Sequence, residues 1–112
     1  MVPRAAQLEE QIVDYVVLFE DNEENASKRS EFMNEHLAFL EANAAQISAA
    51  GPMKNAKTGS HAGGMWLVNA ESFDDAMALV KADPFWPTGL RKSIEILEWT
   101  KVYADGARRL NP

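Results

Sequence analysis

The order of apolar and polar positions predicts four strands along the chain. Residues 12–19 are almost all apolar and β-branched or aromatic, broken only by Asp14, which is typical of a strand buried on both faces. A second, short strand is predicted at 51–54 and a third at 65–68. The last strand is predicted at 93–99, where apolar and polar residues alternate and therefore face opposite sides of a sheet.

Two stretches between these strands have helical periodicity. The first runs from about residue 27 to 48, and its apolar residues recur at three- and four-residue steps, namely Met33, Leu37, Leu40, Ala44 and Ile47. The second follows a capping signal formed by Ser72 and Asp75 and is expected to bury one face, namely Phe73, Ala76, Met77 and Val80. It should end at Asp83, because a residue that precedes proline avoids the helical region.

The resulting order, β-α-β-β-α-β, is that of ferredoxin-like α+β folds. We therefore predict an antiparallel four-stranded sheet with two helices on one face. The other face would carry apolar side chains into water, and contiguous apolar patches usually mark an interface. A homodimer that stacks sheet on sheet, a dimeric α+β barrel, is the expected assembly.

Length and composition favour one domain of ordinary globular type. The chain has 112 residues, 46% of them hydrophobic and 25% charged. We predict an N-terminal extension at 1–10, which frays or packs on a partner, the α+β domain at 11–104 and a C-terminal tail at 105–112. No linker, repeat or low-complexity tract divides the sequence.

Charge and residue usage exclude several classes of function. The net charge of −6 disfavours nucleic acid as a partner, and no apolar run is long enough to cross a membrane. The sequence has no cysteine, so disulfides and thiolate metal sites are excluded. No secretory signal opens the chain, and we expect a cytoplasmic protein.

His36 and Asp83 are the candidate reactive pair. A histidine can take or give a proton near neutral pH, and His36 lies one step from the apolar stripe of the first helix. Asp83 ends the second helix, where it could orient the imidazole because both helices share one face of the sheet. By local pattern alone, a helix-boundary histidine and a turn aspartate explain the two residues better than a reactive pair does.

Other polar residues offer less chemistry. His61, in a Gly- and Ser-rich loop, is interpreted as exposed, and the acidic residues 20–24 as a solvated charge run that lacks calcium-loop spacing. No phosphate cradle or nucleophile elbow is present, and we predict neither a metal site nor a cofactor. Trp66 and Phe85 are core residues or walls of an apolar pocket that binds substrate.

Four short motifs together resemble the YCII-related (YciI-like) family over roughly residues 12–103. They are listed in chain order: Glu35-His36-Leu37-Ala38-Phe39-Leu40, Ala50-Gly51-Pro52, Asp83-Pro84-Phe85, and Ser93-Ile94-Glu95-Ile96 with Trp99. The resemblance implies a ferredoxin-like fold that dimerises as an α+β barrel. It also implies that His36 and Asp83 match the family's shared histidine and aspartate, regarded as an active-site pair.

The family's ties to muconolactone-isomerase-like barrels and to dehydrochlorination of hydroxylated aromatics imply proton transfer on a small ring. Two positions depart from the family pattern. Met33 stands where an arginine is common, and Gly64 where a serine is common. Arg29, one helical turn further away, is an alternative cation that the pattern does not select.

The leading hypothesis is a small cofactor-free enzyme of the lyase or isomerase type that acts on a small organic substrate. His36 would be its general acid and base, with Asp83 as the orienting carboxylate. The alternative is a non-catalytic small-molecule-binding or accessory dimer in which the pair is structural. A third hypothesis, haem or metal binding through His36, predicts a Soret band or bound metal in purified protein.

Overall fold

The computed structural model describes residues 12–109 and contains one antiparallel sheet of four strands in the order β2-β3-β1-β4. The strands are β1 (Val13–Asp21), β2 (Ile47–Lys54), β3 (His61–Ala70) and β4 (Arg91–Glu98). The helices are α1 (Ser27–Glu31), α2 (Met33–Ala42) and α3 (Phe73–Ala82). A hairpin of β5 (Tyr103–Ala104) and β6 (Ala107–Arg108) follows the sheet. The predicted α+β fold is confirmed.

The core lies between the helices and one face of the sheet. Val17 pairs with Trp66 on β3 and with Ile96 on β4, so these side chains share a face. Ala76 and Val80 of α3 are buried against this face, and Phe39 of α2 packs onto it. Alternate residues of β1 are buried because the strand has a side-chain period of two.

The first helical segment ends earlier than the sequence predicts. The chain leaves the helix after Ala42, and the Asn43 side chain donates a hydrogen bond to the Phe39 carbonyl at 2.8 Å. Asparagine competes well with the helical ladder in this way. The β-branched Ile47 then pairs with Val68 and is buried as a strand residue. The assignment of Ala44 and Ile47 to a helix face was wrong.

One burial prediction was also wrong, and another is met on one face of β1 only. Phe73 opens α3 and is 54% exposed, because the helix turns Ala76, Leu79 and Val80 towards the sheet instead. Strand β1 is fully buried on one face only, and Val16 and Leu18 on the other face are half-buried within the single chain. The capping signal at Ser72 is confirmed, since its hydroxyl accepts a hydrogen bond from the Asp75 N–H at 3.1 Å.

The predicted boundaries lie partly outside the described residues. The N-terminal extension at 1–10 lies outside the described residues, as do the last three residues of the tail at 105–112. None of the described helices is long and apolar enough to cross a membrane. The cytoplasmic location stays a prediction.

Candidate active site

His36 and Asp83, which belong to different helical segments, are in direct contact. His36 is the buried residue of α2, and Asp83 takes extended backbone geometry directly after α3, as a residue before proline should. The His36 Nδ1 lies 2.8 Å from the Asp83 Oδ1, although the two residues are 47 positions apart. The distance expected of an orienting carboxylate is therefore met, while the catalytic roles stay a prediction.

Phe85 holds this pair in place in two ways. Its backbone N–H donates to the same Asp83 Oδ1 at 3.1 Å. Its ring stacks on the imidazole, with 4.1 Å between ring centroids and 15° between planes. The carboxylate is 2% exposed, so its hydrogen bonds form away from bulk water, where they are electrostatically stronger.

The hydrogen bond to Asp83 selects one form of the neutral imidazole. An ionised carboxylate can only accept hydrogen bonds, so the His36 Nδ1 must carry the proton that it shares with Asp83. The other ring nitrogen, Nε2, is then left with a free lone pair and has no hydrogen-bond partner within the described part of the chain. This arrangement leaves one basic nitrogen available.

A small pocket of about 120 Å³ opens beside the imidazole, between α2 and the sheet. A cavity of roughly this size, about 150 Å³, is large enough for benzene. Its lining is apolar over much of its surface and includes Met33, Leu37, Leu40, Pro52, Trp66 and Phe85. Its polar lining is His36, Asp21, Arg29 and Arg91. An apolar lining with a few polar groups is typical of small-molecule sites.

Asp21, at the end of β1, forms a second polar centre on the rim of this pocket. Its carboxylate accepts hydrogen bonds from Arg29 at 2.5 Å and from Arg91 at 3.0 Å, and its side chain is 4% exposed. Burial alone would raise the pKa of Asp21. The hydrogen bonds from Arg29 and Arg91, the Arg91 charge and a contact with His61 outweigh burial and hold this pKa below its usual value.

Arg91 connects the two carboxylates. Its Nη1 donates to Asp21, while its Nη2 lies 3.9 Å from the Asp83 Oδ2, too far for a hydrogen bond. The guanidinium lies over the ring of Phe19, 4.1 Å from its centroid. Its Nε is buried without a hydrogen-bond partner among residues 12–109. The side chain is thus a buried cation whose Nε and Nη2 donate no hydrogen bond to residues 12–109.

The structure brings together the four site residues that the sequence predicts. His36 and Asp83 are in direct contact, and both Trp66 and Phe85 line the pocket beside them. His61 is exposed, as predicted, and lies with Asp21 rather than with the reactive pair. Met33 and Gly64, where the family pattern has other residues, also line the pocket.

The sequence analysis missed Asp21 and Arg91 and did not select Arg29. Treating 20–24 as a solvated charge run was wrong for Asp21, because two arginines enclose its carboxylate. The available signal was the strand order: β1 and β4 are antiparallel neighbours, and Asp21 and Arg91 are direct cross-strand partners. Among residues 12–109, no group of three or more His, Cys, Asp or Glu side chains could hold a metal ion.

The fold and the buried histidine–aspartate pair define a small α+β domain with a pocket at the sheet's helical face. The sequence model of the YCII-related domain matches residues 13–100. The chain belongs to the YCII-related family.

A solved structure adds a functional comparison. The chain is similar to 5-chloro-2-hydroxyhydroquinone dehydrochlorinase from Burkholderia phenoliruptrix, solved in complex with 2,5-dihydroxybenzoquinone. The sequences are 28% identical, the TM-score is 0.68, and the alignment covers 78% of this chain and 93% of the other. The search of curated proteins found no match.

Proposed function

We propose that this protein is a cofactor-free enzyme of the lyase or isomerase type that moves protons on a small hydroxylated ring. The observation that carries the proposal is the 2.8 Å contact between the His36 Nδ1 and the Asp83 Oδ1, at the wall of a small and largely apolar pocket. The similarity to a dehydrochlorinase that binds a dihydroxybenzoquinone supports the same class of substrate.

His36 acts as the general base and then as the general acid. Its Nε2 accepts the proton of a ring hydroxyl, and the electron pair of the broken O–H bond forms a carbonyl. The displaced ring electrons take the proton back at a ring carbon, which completes an isomerisation. Asp83 stabilises the intermediate imidazolium through Nδ1.

Elimination can follow from the keto form of the ring that this isomerisation produces, and it needs no oxidant. If the newly protonated ring carbon also carries chloride, removal of a second hydroxyl proton forms another carbonyl. The ring electrons then expel chloride together with its bonding pair. The net change is loss of one proton and one chloride, so no electrons are gained or lost overall.

The test is solvent exchange and chloride release by matched histidine variants. Wild-type protein should exchange ring C–H for deuterium in a trihydroxybenzene and release chloride from 5-chloro-2-hydroxyhydroquinone. His36→Gln should lower both rates about 10²–10⁴-fold, the usual contribution of a general acid or base. His61→Gln, the control at the exposed histidine, should change neither. Ring binding without either reaction in wild type would favour the non-catalytic binding protein.

We also propose that the chain forms a homodimer through the open face of its sheet. This face carries a contiguous set of apolar side chains on three neighbouring strands, namely Val16, Leu18, Met65, Leu67 and Leu97. Patches of this kind usually mark interfaces. A second copy would cover them sheet on sheet, on the side opposite the pocket.

Light scattering on Val16→Glu tests this assembly. The buried charge should convert the dimer to a monomer. Phe73→Glu is the matched control, because Phe73 is an exposed apolar residue on the helical side. A wild-type monomer, or a Val16→Glu dimer of unchanged stability, would refute the sheet-to-sheet interface.

A further inference from the structure

We propose that the pocket recognises its ring through an ionised oxygen and that Arg91 is the residue that binds this oxygen. The inference deepens the proposed function and rests on it for the identity of the site, since it assigns the substrate class and a second catalytic residue to the same pocket. The ligand chemistry is a planar ring with an acidic hydroxyl, which binds neutral and is held as its anion.

The first argument is the unused hydrogen-bonding capacity of Arg91. Its side chain is 8% exposed and lines the pocket, yet only Nη1 donates to a carboxylate at hydrogen-bond distance. Nε is buried without a partner in the described chain, and Nη2 lies 3.9 Å from Asp83. Buried donors are normally satisfied, so this guanidinium has hydrogen-bonding capacity that a ligand oxygen in the pocket can use through Nη2.

The second argument is that Arg91 is fixed before any ligand arrives. Asp21 holds one end of the guanidinium, and the ring of Phe19 supports its face at 4.1 Å. A cation held in this way needs no rearrangement to meet a developing negative charge, which is the condition for effective electrostatic stabilisation. The surrounding low-dielectric lining strengthens the interaction further.

The third argument is the charge balance of the pocket. Arg29 and Arg91 carry two positive charges, and Asp21 offsets one of them. Asp83, beside neutral His36, offsets the other, so the site with a neutral ring is neutral. When His36 takes the hydroxyl proton, its imidazolium balances Asp83. The arginine charge that Asp21 does not offset then balances the new ring oxyanion. The proton transfer therefore leaves no uncompensated charge.

Binding of 4-nitrophenol tests the inference, because its phenolate has a visible absorption that the phenol lacks. Wild-type protein should bind it with the pKa of the bound phenol lowered by about one unit or more, a preference of about tenfold or more for the anion. Nitrobenzene, which has no ionisable oxygen, should bind more weakly. Equal binding of the two, or an unshifted pKa of the bound phenol, overturns the inference.

Variants at two adjacent cations assign the effect to Arg91. Arg91→Gln should lose the anion preference by about 10- to 100-fold, the range for a hydrogen bond to a charged group. Arg91→Lys, which keeps the charge, should retain part of it. Lys92→Gln is the matched control, because Lys92 is the next residue of β4 and forms an exposed ion pair with Glu20. Unchanged preference in both Arg91 variants overturns the assignment.

Two further measurements keep the test decisive. If the Arg91 variants fail to fold, the side-chain N–H resonances of Arg91 in wild-type protein should shift with 4-nitrophenol and not with nitrobenzene; the absence of such a shift overturns the assignment. 4-Nitrobenzoate should bind more weakly than 4-nitrophenol, because it brings a negative charge without a proton for His36. Tighter binding of the benzoate overturns the proton-coupled form of the inference.

This inference and the proposed function fail separately. Binding and ionisation of 4-nitrophenol require no turnover, so an Arg91-dependent anion preference in a protein without exchange or elimination activity would refute only the enzyme. Conversely, His36-dependent turnover with an anion preference independent of Arg91 would refute only the role of Arg91.

Discussion

The protein contains two histidine–aspartate contacts, and they differ in nearly every physical respect. His36 meets Asp83 through Nδ1 at 2.8 Å, with 9% of the imidazole exposed. His61 meets Asp21 through Nε2 at 3.2 Å, with 42% exposed. Both carboxylates are buried. The same two residue types therefore form an enclosed pair in one place and a surface contact in the other.

The other partners of each carboxylate explain the difference. Asp83 accepts one further hydrogen bond, from a neutral backbone N–H, and the Arg91 Nη2, at 3.9 Å, is too far away to donate another. Asp21 already accepts from Arg29 and Arg91, which are permanently charged. A carboxylate saturated by arginines gains little from an imidazole. The neighbours of the carboxylate, and not the histidine–aspartate contact itself, therefore separate a candidate acid/base pair from a structural network.

The largest effect on stability is expected at Asp21. Asp21→Asn should lower the free energy of unfolding by about 3–5 kcal/mol, because it removes the only carboxylate that is hydrogen-bonded to the buried Arg91 cation among residues 12–109. Urea unfolding followed by circular dichroism measures this. Glu20→Gln is the matched control, since the neighbouring carboxylate forms an exposed ion pair worth about 0–1 kcal/mol. Similar losses in both variants would contradict a buried network at Asp21.

A smaller loss is expected at the other carboxylate. Asp83→Asn should cost about 1–3 kcal/mol, because the amide oxygen can still accept from His36 or Phe85 while the ionic contribution disappears. The same unfolding experiment ranks the two positions. A larger loss for Asp83→Asn than for Asp21→Asn would reverse our assignment of which carboxylate is chiefly structural.

The pH dependence of stability sharpens the same contrast. The pKa of Asp21 is lowered in the folded protein, so the unfolded chain binds this proton more tightly. The stabilisation is therefore complete above the unfolded pKa of about 3.9 and is lost as pH falls through the lower folded value. The stability difference between wild type and Asp21→Asn should stay constant near neutral pH and shrink below about pH 4. A difference that grows on acidification would contradict this sign.

The smallest effect is expected at the surface histidine. His61→Ala should change the free energy of unfolding by less than about 1 kcal/mol, as for other exposed ion pairs. Nitrogen chemical shifts of the two imidazoles provide a second measurement. His36 should be held as the neutral Nδ1–H form by Asp83, whereas His61 should show no such fixed form. A fixed Nε2–H form at His36 would contradict the orienting role of Asp83.

Much of the fold could be predicted because its signals are local. The apolar β-branched run of β1, the Ser72 cap and the Asp83-Pro84 stop each act within a few residues, so the order of strands and helices follows from them. The predicted pair, His36 and Asp83, combined that order with the family resemblance. The prediction of where the first helical segment ends was wrong, because Ile47 fits a helical stripe and a strand equally well. Only its pairing with Val68 decides between the two.

The sequence by itself thus determined the α+β order and the apolar faces, and it named the candidate pair for proton transfer. Tertiary structure alone decided which charges meet. Arg91 lies 70 positions from Asp21, and no periodicity links them; their contact exists because β1 and β4 are antiparallel neighbours. Burial then sets the strength of these interactions, because charges attract more strongly in the low-dielectric interior than in water. The position of Arg91 between two carboxylates at the pocket cannot be read from its place in the chain.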